Sequence, residues 1–261
     1  MVRKDAFDHV FSKNPEISVV EVSDLDCDLI FPALEGTTNV LTSVENLRVM
    51  FTSGDAALFS VVDENNPLTH DDTSWKNTSR DEGLRGYALD AYYTDKALAE
   101  KTAWKFAAKP VNPAYVFGPQ AFDSEAAATL NFTNESLSKI IKADPNGEWL
   151  NEMGGFIHVS DIDRAHLAAF EQENTIGKRL YVTNGPLCFQ MILDIMNTKI
   201  PRLRCKVPVG KPETGPAPVL ALAKTDNTAT RKLLNFEVLS LEQCVIDFVA
   251  QLTRAQPKIF L

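Results

Sequence analysis

Tyr92 and Lys96 stand four residues apart in the stretch Tyr92-Tyr93-Thr94-Asp95-Lys96. On a helix, residues i and i+4 share one face, so this spacing sets a phenol beside an ammonium. An unperturbed phenol has a pKa of about 10. A unit charge about 4 Å away contributes about 4 kcal/mol at an effective dielectric of about 20, or roughly three pKa units. The pair therefore reads as a phenol drawn toward neutrality that could hand a proton to a carbonyl oxygen. Ser53 is the third catalytic candidate. The run from 47 to 53, LRVMFTS, is apolar and closes on Thr52-Ser53-Gly54. A hydroxyl at the carboxyl end of a parallel strand lies where open α/β sheets meet their ligands. The segment 112–120, NPAYVFGPQ, reads as a second strand ending in turn residues, and so as a second such edge.

These groups need elements to hold them. The stretch 84–107, rich in Ala, Leu, Lys and Glu, predicts one long helix carrying Tyr92 and Lys96. Strands are expected at 17–22, 47–53, 114–117, 156–159 and 180–183. Helices are expected at 5–13, at 29–44 with a break at Gly36, and at 131–142, 161–173, 188–197 and 241–253. Ser160 is expected to cap the helix at 161, with Asp163 in its first turn. The proline-rich segment 201–218 reads as a connecting loop. Alternating strands and helices imply parallel pairing with helices on both faces.

Composition narrows the functional classes. The 261 residues carry 26 basic and 35 acidic side chains, a net charge of −9. That sign disfavours nucleic acid and anionic membranes as partners. Four cysteines without a C-x-x-C pair give neither a zinc nor a thioredoxin-type motif. No apolar run approaches the length of a membrane span, and the first residues lack the apolar core of a secretory signal, so a cytoplasmic location is expected. His158 and His166 flank Asp161 and Asp163 but read as structural residues, and no metal site is assigned. Met191, Ile192, Ile195 and Met196 read as core. Trp75, Trp104 and Trp149 read as packing residues, and Arg231-Lys232 as a solvated pair.

The order Thr-Ser, then Y-x-x-x-K within AYYTDKALAEKTAW, then NPAYVFGPQ, resembles the extended short-chain dehydrogenases/reductases. More narrowly it resembles their fungal NADPH-dependent methylglyoxal and 3-methylbutanal reductases, relatives of the dihydroflavonol reductases. DAFDHVF, GGFIHVSDIDRAHLAAFE, the IPRL…VPVGKPETGP loop and RKLLNFEV…LEQCVIDFVAQ extend the likeness from about residue 5 to 251. The resemblance implies an α/β, Rossmann-like parallel sheet with a small C-terminal substrate lobe. Residues 1–120 would form the cofactor domain and 121–261 mainly the lobe, with the strand and helix around 156–185 returning to the main domain. It further implies reduction of an aldehyde or ketone, a small-molecule carbonyl substrate, by NADPH. By matching position Tyr92 is the general acid, Lys96 lowers its pKa and holds the nicotinamide ribose, Pro113 and Val116 flank the nicotinamide, and Thr133 supplies a cofactor-contacting hydroxyl.

The sequence departs from that pattern. No glycine precedes Gly36, so the family's Gly-rich phosphate loop and its first βαβ unit are missing, and the chain reads as N-terminally truncated. Where the pattern is Thr-Ser-Ser, with the last Ser orienting the substrate carbonyl, this sequence has Gly54. Against the same pattern the segment 105–113 is so short that the resemblance implies loss of a helix end and most of a central strand there. The competing reading is a catalytically inactive paralogue or a binding scaffold without a cofactor site. The identity of the carbonyl compound and the oligomeric state stay open.

Overall fold

The computed structural model describes residues 30–43, 50–60, 69–85, 88–106, 109–147 and 149–260. The helix expected at 5–13 and the strand at 17–22 lie outside the described residues. In chain order the elements are α1 (Phe31–Ser43), β1 (Met50–Thr52), β2 (Thr69–His70), α2 (Arg80–Arg85), α3 (Ala88–Ala103), β3 (Lys109–Pro113), β4 (Tyr115–Phe117), α4 (Asp123–Ala128) and α5 (Phe132–Lys142). They continue as β5 (Met153–His158), α6 (Val159–Glu171), β6 (Leu180–Val182), β7 (Pro186–Cys188), α7 (Phe189–Lys199), β8 (Lys224–Thr225), α8 (Thr228–Leu234) and α9 (Leu241–Ala255). Among the described residues no helix is long and apolar enough to cross a membrane.

The sheet that positions the candidate chemistry has the order β1-β3-β6 and is wholly parallel. Thr52 pairs with Val111, and Val111 with Leu180. Successive strand residues point to opposite faces, and the two faces differ here. Val111, Leu180 and Val182 are fully buried against Ile162, Ala165, Ala168 and Ala169 of α6. Each such side chain stabilises the fold by about 1.5–3 kcal/mol. On the opposite face Asn112 lies in register with Tyr181, and Tyr181 packs on Ala57, Leu58 and Phe59. A second sheet, β4-β5-β7, joins this layer to a larger apolar cluster in which Phe117, Phe156 and Leu187 meet α5, α7 and α9. Ser240 caps α9, its hydroxyl accepting from the Gln243 N–H at 3.2 Å.

Several elements differ from expectation. The central strand expected to be missing is present: β3 runs five residues and pairs on both sides. α1 passes through Gly36 unbroken, because nothing lies within 4 Å of where its side chain would project and no turn is imposed there. The single helix expected over 84–107 is instead α2, α3 and a 3-10 turn over Trp104–Phe106. A Cβ at Gly83 would sit 2.7 Å from the Thr94 Cβ, so glycine is what lets α2 and α3 approach this closely. The cap of α6 is His158, whose Nδ1 accepts from the Ser160 N–H at 3.0 Å; Asp161, not Asp163, occupies the first turn. β5 and β7 pair antiparallel, an exception to the parallel rule.

Candidate active site

α3 delivers Tyr92, Lys96 and Glu100, three residues at successive intervals of four on one face. β1 meets that face at its carboxyl end. The Ser53 N–H donates to the Val111 carbonyl at 2.9 Å, prolonging the β1–β3 ladder, and the chain then turns through a 3-10 segment, Asp55–Ala57. The turn is pinned twice at one atom: the Gly54 carbonyl accepts from the Ala57 N–H at 3.1 Å and from Asn112 Nδ2 at 3.0 Å. Gly54 itself is extended, with φ −176°. A Cβ placed there would lie 3.5 Å from Lys96 Cε and 3.9 Å from the Pro113 carbonyl oxygen. The Lys96 stem therefore rests against the backbone of position 54, at the mouth between the ends of β1 and β3.

Behind this mouth lies a buried polar chain. Glu100 is 0% exposed. Its Oε2 accepts from Asn112 Nδ2 at 2.6 Å, and its Oε1 from Arg179 Nε at 2.5 Å and from Trp104 Nε1 at 3.4 Å. The Arg179 guanidinium stacks 3.8 Å from the Trp75 ring and donates to the Ser74 carbonyl. The Glu100 charge is thus matched by a cation and satisfied at both oxygens, which a buried carboxylate requires. Through Asn112 it reaches the carbonyl that fixes the turn after β1.

The electrostatics of the mouth are crowded. Burial, and after it the charges of Asp55 and Asp95, hold the Tyr92 phenol above its ordinary value. Burial lowers the Lys96 ammonium, while Asp95, Glu100 and Asp55 act in the opposite direction. Burial pushes the Asp55 carboxyl up to about 7 against hydrogen bonds from backbone N–H groups and the Lys96 charge. Asp95 is pushed up to about 6, again by burial and against Lys96. The expectation that Lys96 draws the Tyr92 phenol toward neutrality is thus corrected: in the free protein burial is the main influence on it, and the net direction is upward.

Ser53 is 7% exposed, and its hydroxyl has no hydrogen-bond partner among the described residues. Tyr92 keeps 45% of its surface exposed. The unpartnered Ser53 hydroxyl, the Lys96 ammonium and the half-buried Tyr92 phenol are the kinds of donor that a ribose and a carbonyl oxygen need, so these residues fit the nicotinamide end of a nucleotide. Pro113 is part of this mouth through its carbonyl. Thr133 and Val116 meet each other instead: the Thr133 hydroxyl donates to the Val116 carbonyl at 2.6 Å. A cleft with room for about one water is lined by Phe59, Gly154, Gly155, Tyr181, Pro186 and Leu222, among others, and by none of the candidate catalytic residues.

Sequence reasoning missed Asp55, Glu100 and Asn112. Glu100 had a signal, since it repeats the four-residue interval of Tyr92 and Lys96. The remaining candidates resolve as structural contacts. His166 Nε2 lies 2.7 Å from the Thr52 hydroxyl, and Asp247 Oδ2 lies 3.3 Å from His158 Nε2. Ile192 and Met196 are buried in the large cluster. Two expectations are corrected. Trp75 is a cation-stacking residue, 37% exposed, and Arg231 is anchored, its Nη2 donating to Asn184 Oδ1 at 2.6 Å.

No family model matches the chain. Individual relatives do. An NADPH-dependent methylglyoxal reductase of Saccharomyces cerevisiae is 35% identical over 98% of this chain and 82% of its own length. An uncharacterized oxidoreductase of the same yeast is 37% identical with the same coverage. Among solved structures, the yeast methylglyoxal/isovaleraldehyde reductase complexed with NADPH superposes with a TM-score of 0.85 at 32% identity, over 98% of this chain and 82% of that one. A Candida albicans relative of it, also with NADPH, gives 0.84 at 34%.

Proposed function

This chain belongs to the extended short-chain dehydrogenases/reductases, and from that membership we propose that it reduces small aldehydes and ketones to alcohols with NADPH. The observation that carries the proposal is the seat of the Lys96 stem against Gly54 at the carboxyl end of β1, with Tyr92 one helical turn before it on α3. NADPH, when bound, supplies the hydride that reduces the carbonyl carbon. Tyr92 supplies the proton to the carbonyl oxygen and is left as a phenolate. A phenol held above its ordinary value stays protonated at neutral pH, which is the form that reduction consumes. Lys96 offsets the phenolate charge as it forms and is placed to hold the ribose hydroxyls. Ser53 offers the unpartnered hydroxyl of the mouth, and Pro113, Val116 and Thr133 are assigned to the nicotinamide side.

In the same reading residues 1–120 serve the cofactor, 121–261 form mainly the substrate lobe, the segment around 156–185 returns to the main layer, and the protein works in the cytoplasm. Nicotinamide fluorescence during NADPH titration tests binding, and loss of NADPH absorbance on addition of methylglyoxal tests turnover. Tyr92→Phe is expected to lower turnover at least about 100-fold while NADPH still binds. Absence of saturable binding, or turnover that survives Tyr92→Phe, overturns the proposal.

A further inference from the structure

Asn112 has no part in the chemistry proposed above, yet its side chain joins the elements that form the mouth. It lies on β3, fully buried, on the face opposite Val111. Its amide nitrogen donates to Glu100 Oε2 on α3 at 2.6 Å and to the Gly54 carbonyl at the end of β1 at 3.0 Å. An amide nitrogen carries two protons, one for each of these acceptors. The amide oxygen has no hydrogen-bond partner among the described residues, so the group is held there by its two N–H bonds. Both acceptors are themselves fixed. Arg179 Nε donates to the other oxygen of Glu100 at 2.5 Å, and the Ala57 N–H donates to the Gly54 carbonyl at 3.1 Å.

These contacts close a ring. From Glu100 it runs through Asn112 to Gly54, and from Gly54 back to α3, since a Cβ at position 54 would lie 3.5 Å from Lys96 Cε. Lys96 and Glu100 stand about 6 Å apart along the helix axis, so the ring ties one turn of α3 to the end of β1 at two points. We propose that Asn112 is a positioning residue of this site: it sets the gap between the end of β1 and α3, and thereby where the Lys96 stem is seated. The inference rests on the reductase reading and deepens it. The role asks for asparagine in particular. Aspartate has the same shape but donates nothing, and it would set a second carboxylate against Glu100. Leucine has the volume and no donor at all.

The test is a cycle on cofactor binding. NADPH affinity is read from nicotinamide fluorescence at a temperature at which melting curves show each variant folded. Asn112→Leu removes both N–H groups and is expected to weaken NADPH about tenfold, the value of one well-placed hydrogen bond lost at the ribose. It should also lower kcat about 100-fold, as a displacement of about 1 Å does. In the Lys96→Ala background the same substitution should change NADPH affinity by less than about twofold, because no lysine stem is left to seat. A purely structural role for Asn112 gives equal factors in the two backgrounds. Should Asn112→Leu fail to fold, Asn112→Ser enters the same cycle; its single hydroxyl proton replaces at most one of the two bonds, and the expected loss with Lys96 present is about fivefold. A folded variant with the wild-type NADPH affinity, or a loss of the same size with Lys96 and without it, overturns this inference and leaves the reductase reading intact. A wild-type protein without saturable NADPH binding overturns the reductase reading and this inference with it.

Discussion

Replacing Glu100 by methionine should be among the most costly single changes in the α3 layer. Glu100 and Arg179 are both buried, with the carboxylate accepting from Arg179 Nε at 2.5 Å and from Asn112 Nδ2 at 2.6 Å. Removing one member of a buried pair leaves the other charge uncompensated, at a cost of about 3–5 kcal/mol. Arg179 keeps only the Ser74 carbonyl and the Trp75 ring, and neither neutralises it. Asn112 loses an acceptor that was charged, and such hydrogen bonds are worth about 1.5–3 kcal/mol. That loss overlaps the first cost, so the sum is not additive, and we expect about 4 kcal/mol in total. Methionine at both positions removes the orphaned cation and should recover about half of the loss. Urea unfolding of wild type, Glu100→Met, Arg179→Met and the double variant completes the cycle. A loss below about 1 kcal/mol for Glu100→Met would refute the reasoning, because it would mean that water reaches the pair. A double variant as damaged as both single variants together would refute it equally.

Other outcomes follow from single contacts. Gly83→Ala should destabilise by about 1–3 kcal/mol despite the better helix propensity of alanine, since its Cβ meets Thr94 at 2.7 Å; Thr94→Ala should recover part of this in thermal melts. Gly54→Ser should fold with stability within about 0.5 kcal/mol of wild type, because the backbone there is extended and the nearest atom is 3.5 Å away. Its added hydroxyl beside Lys96 should raise kcat/KM for methylglyoxal by about tenfold. Asp55 and Asp95, pushed up to about 7 and about 6 from an ordinary 3.8, give a stability contribution fully present below about pH 4 and lost as pH rises through 6 to 7. The urea midpoint of the wild type should therefore fall between about pH 5 and 8, and that of Asp55→Asn should fall less.

The site was partly legible because its centre is local. Tyr92 and Lys96 announce themselves by spacing alone, and a hydroxyl closing an apolar run marks the end of β1. The missed parts depend on contacts between distant segments. Most of β3 reads as missing because so few residues separate the end of α3 from Pro113, and two of the five strand residues are prolines, which lack the N–H that a central strand donates. Both prolines fall near its ends, while Val111 and Asn112 between them carry the layer. Arg179 is a lone cation in sequence, 79 residues from Glu100. The direction in which Tyr92 shifts is not legible in the sequence, because the neighbouring lysine is visible there whereas burial is not. Ser160 is a good capping residue, but His158 precedes it and its ring nitrogen reaches the first turn of α6.

The polar chain behind the mouth has an optical consequence. Of the three tryptophans, Trp75 lies under the Arg179 guanidinium with the Lys101 ammonium 5.7 Å from its ring, and Trp104 donates to Glu100. Two indoles therefore look at the same pair of charges from opposite ends, while Trp149 packs in the other apolar cluster. Two of the three indoles thus sit in the wall that holds α3 against β3, so loosening of that wall changes the charges around them and registers as a shift in the colour of the emission.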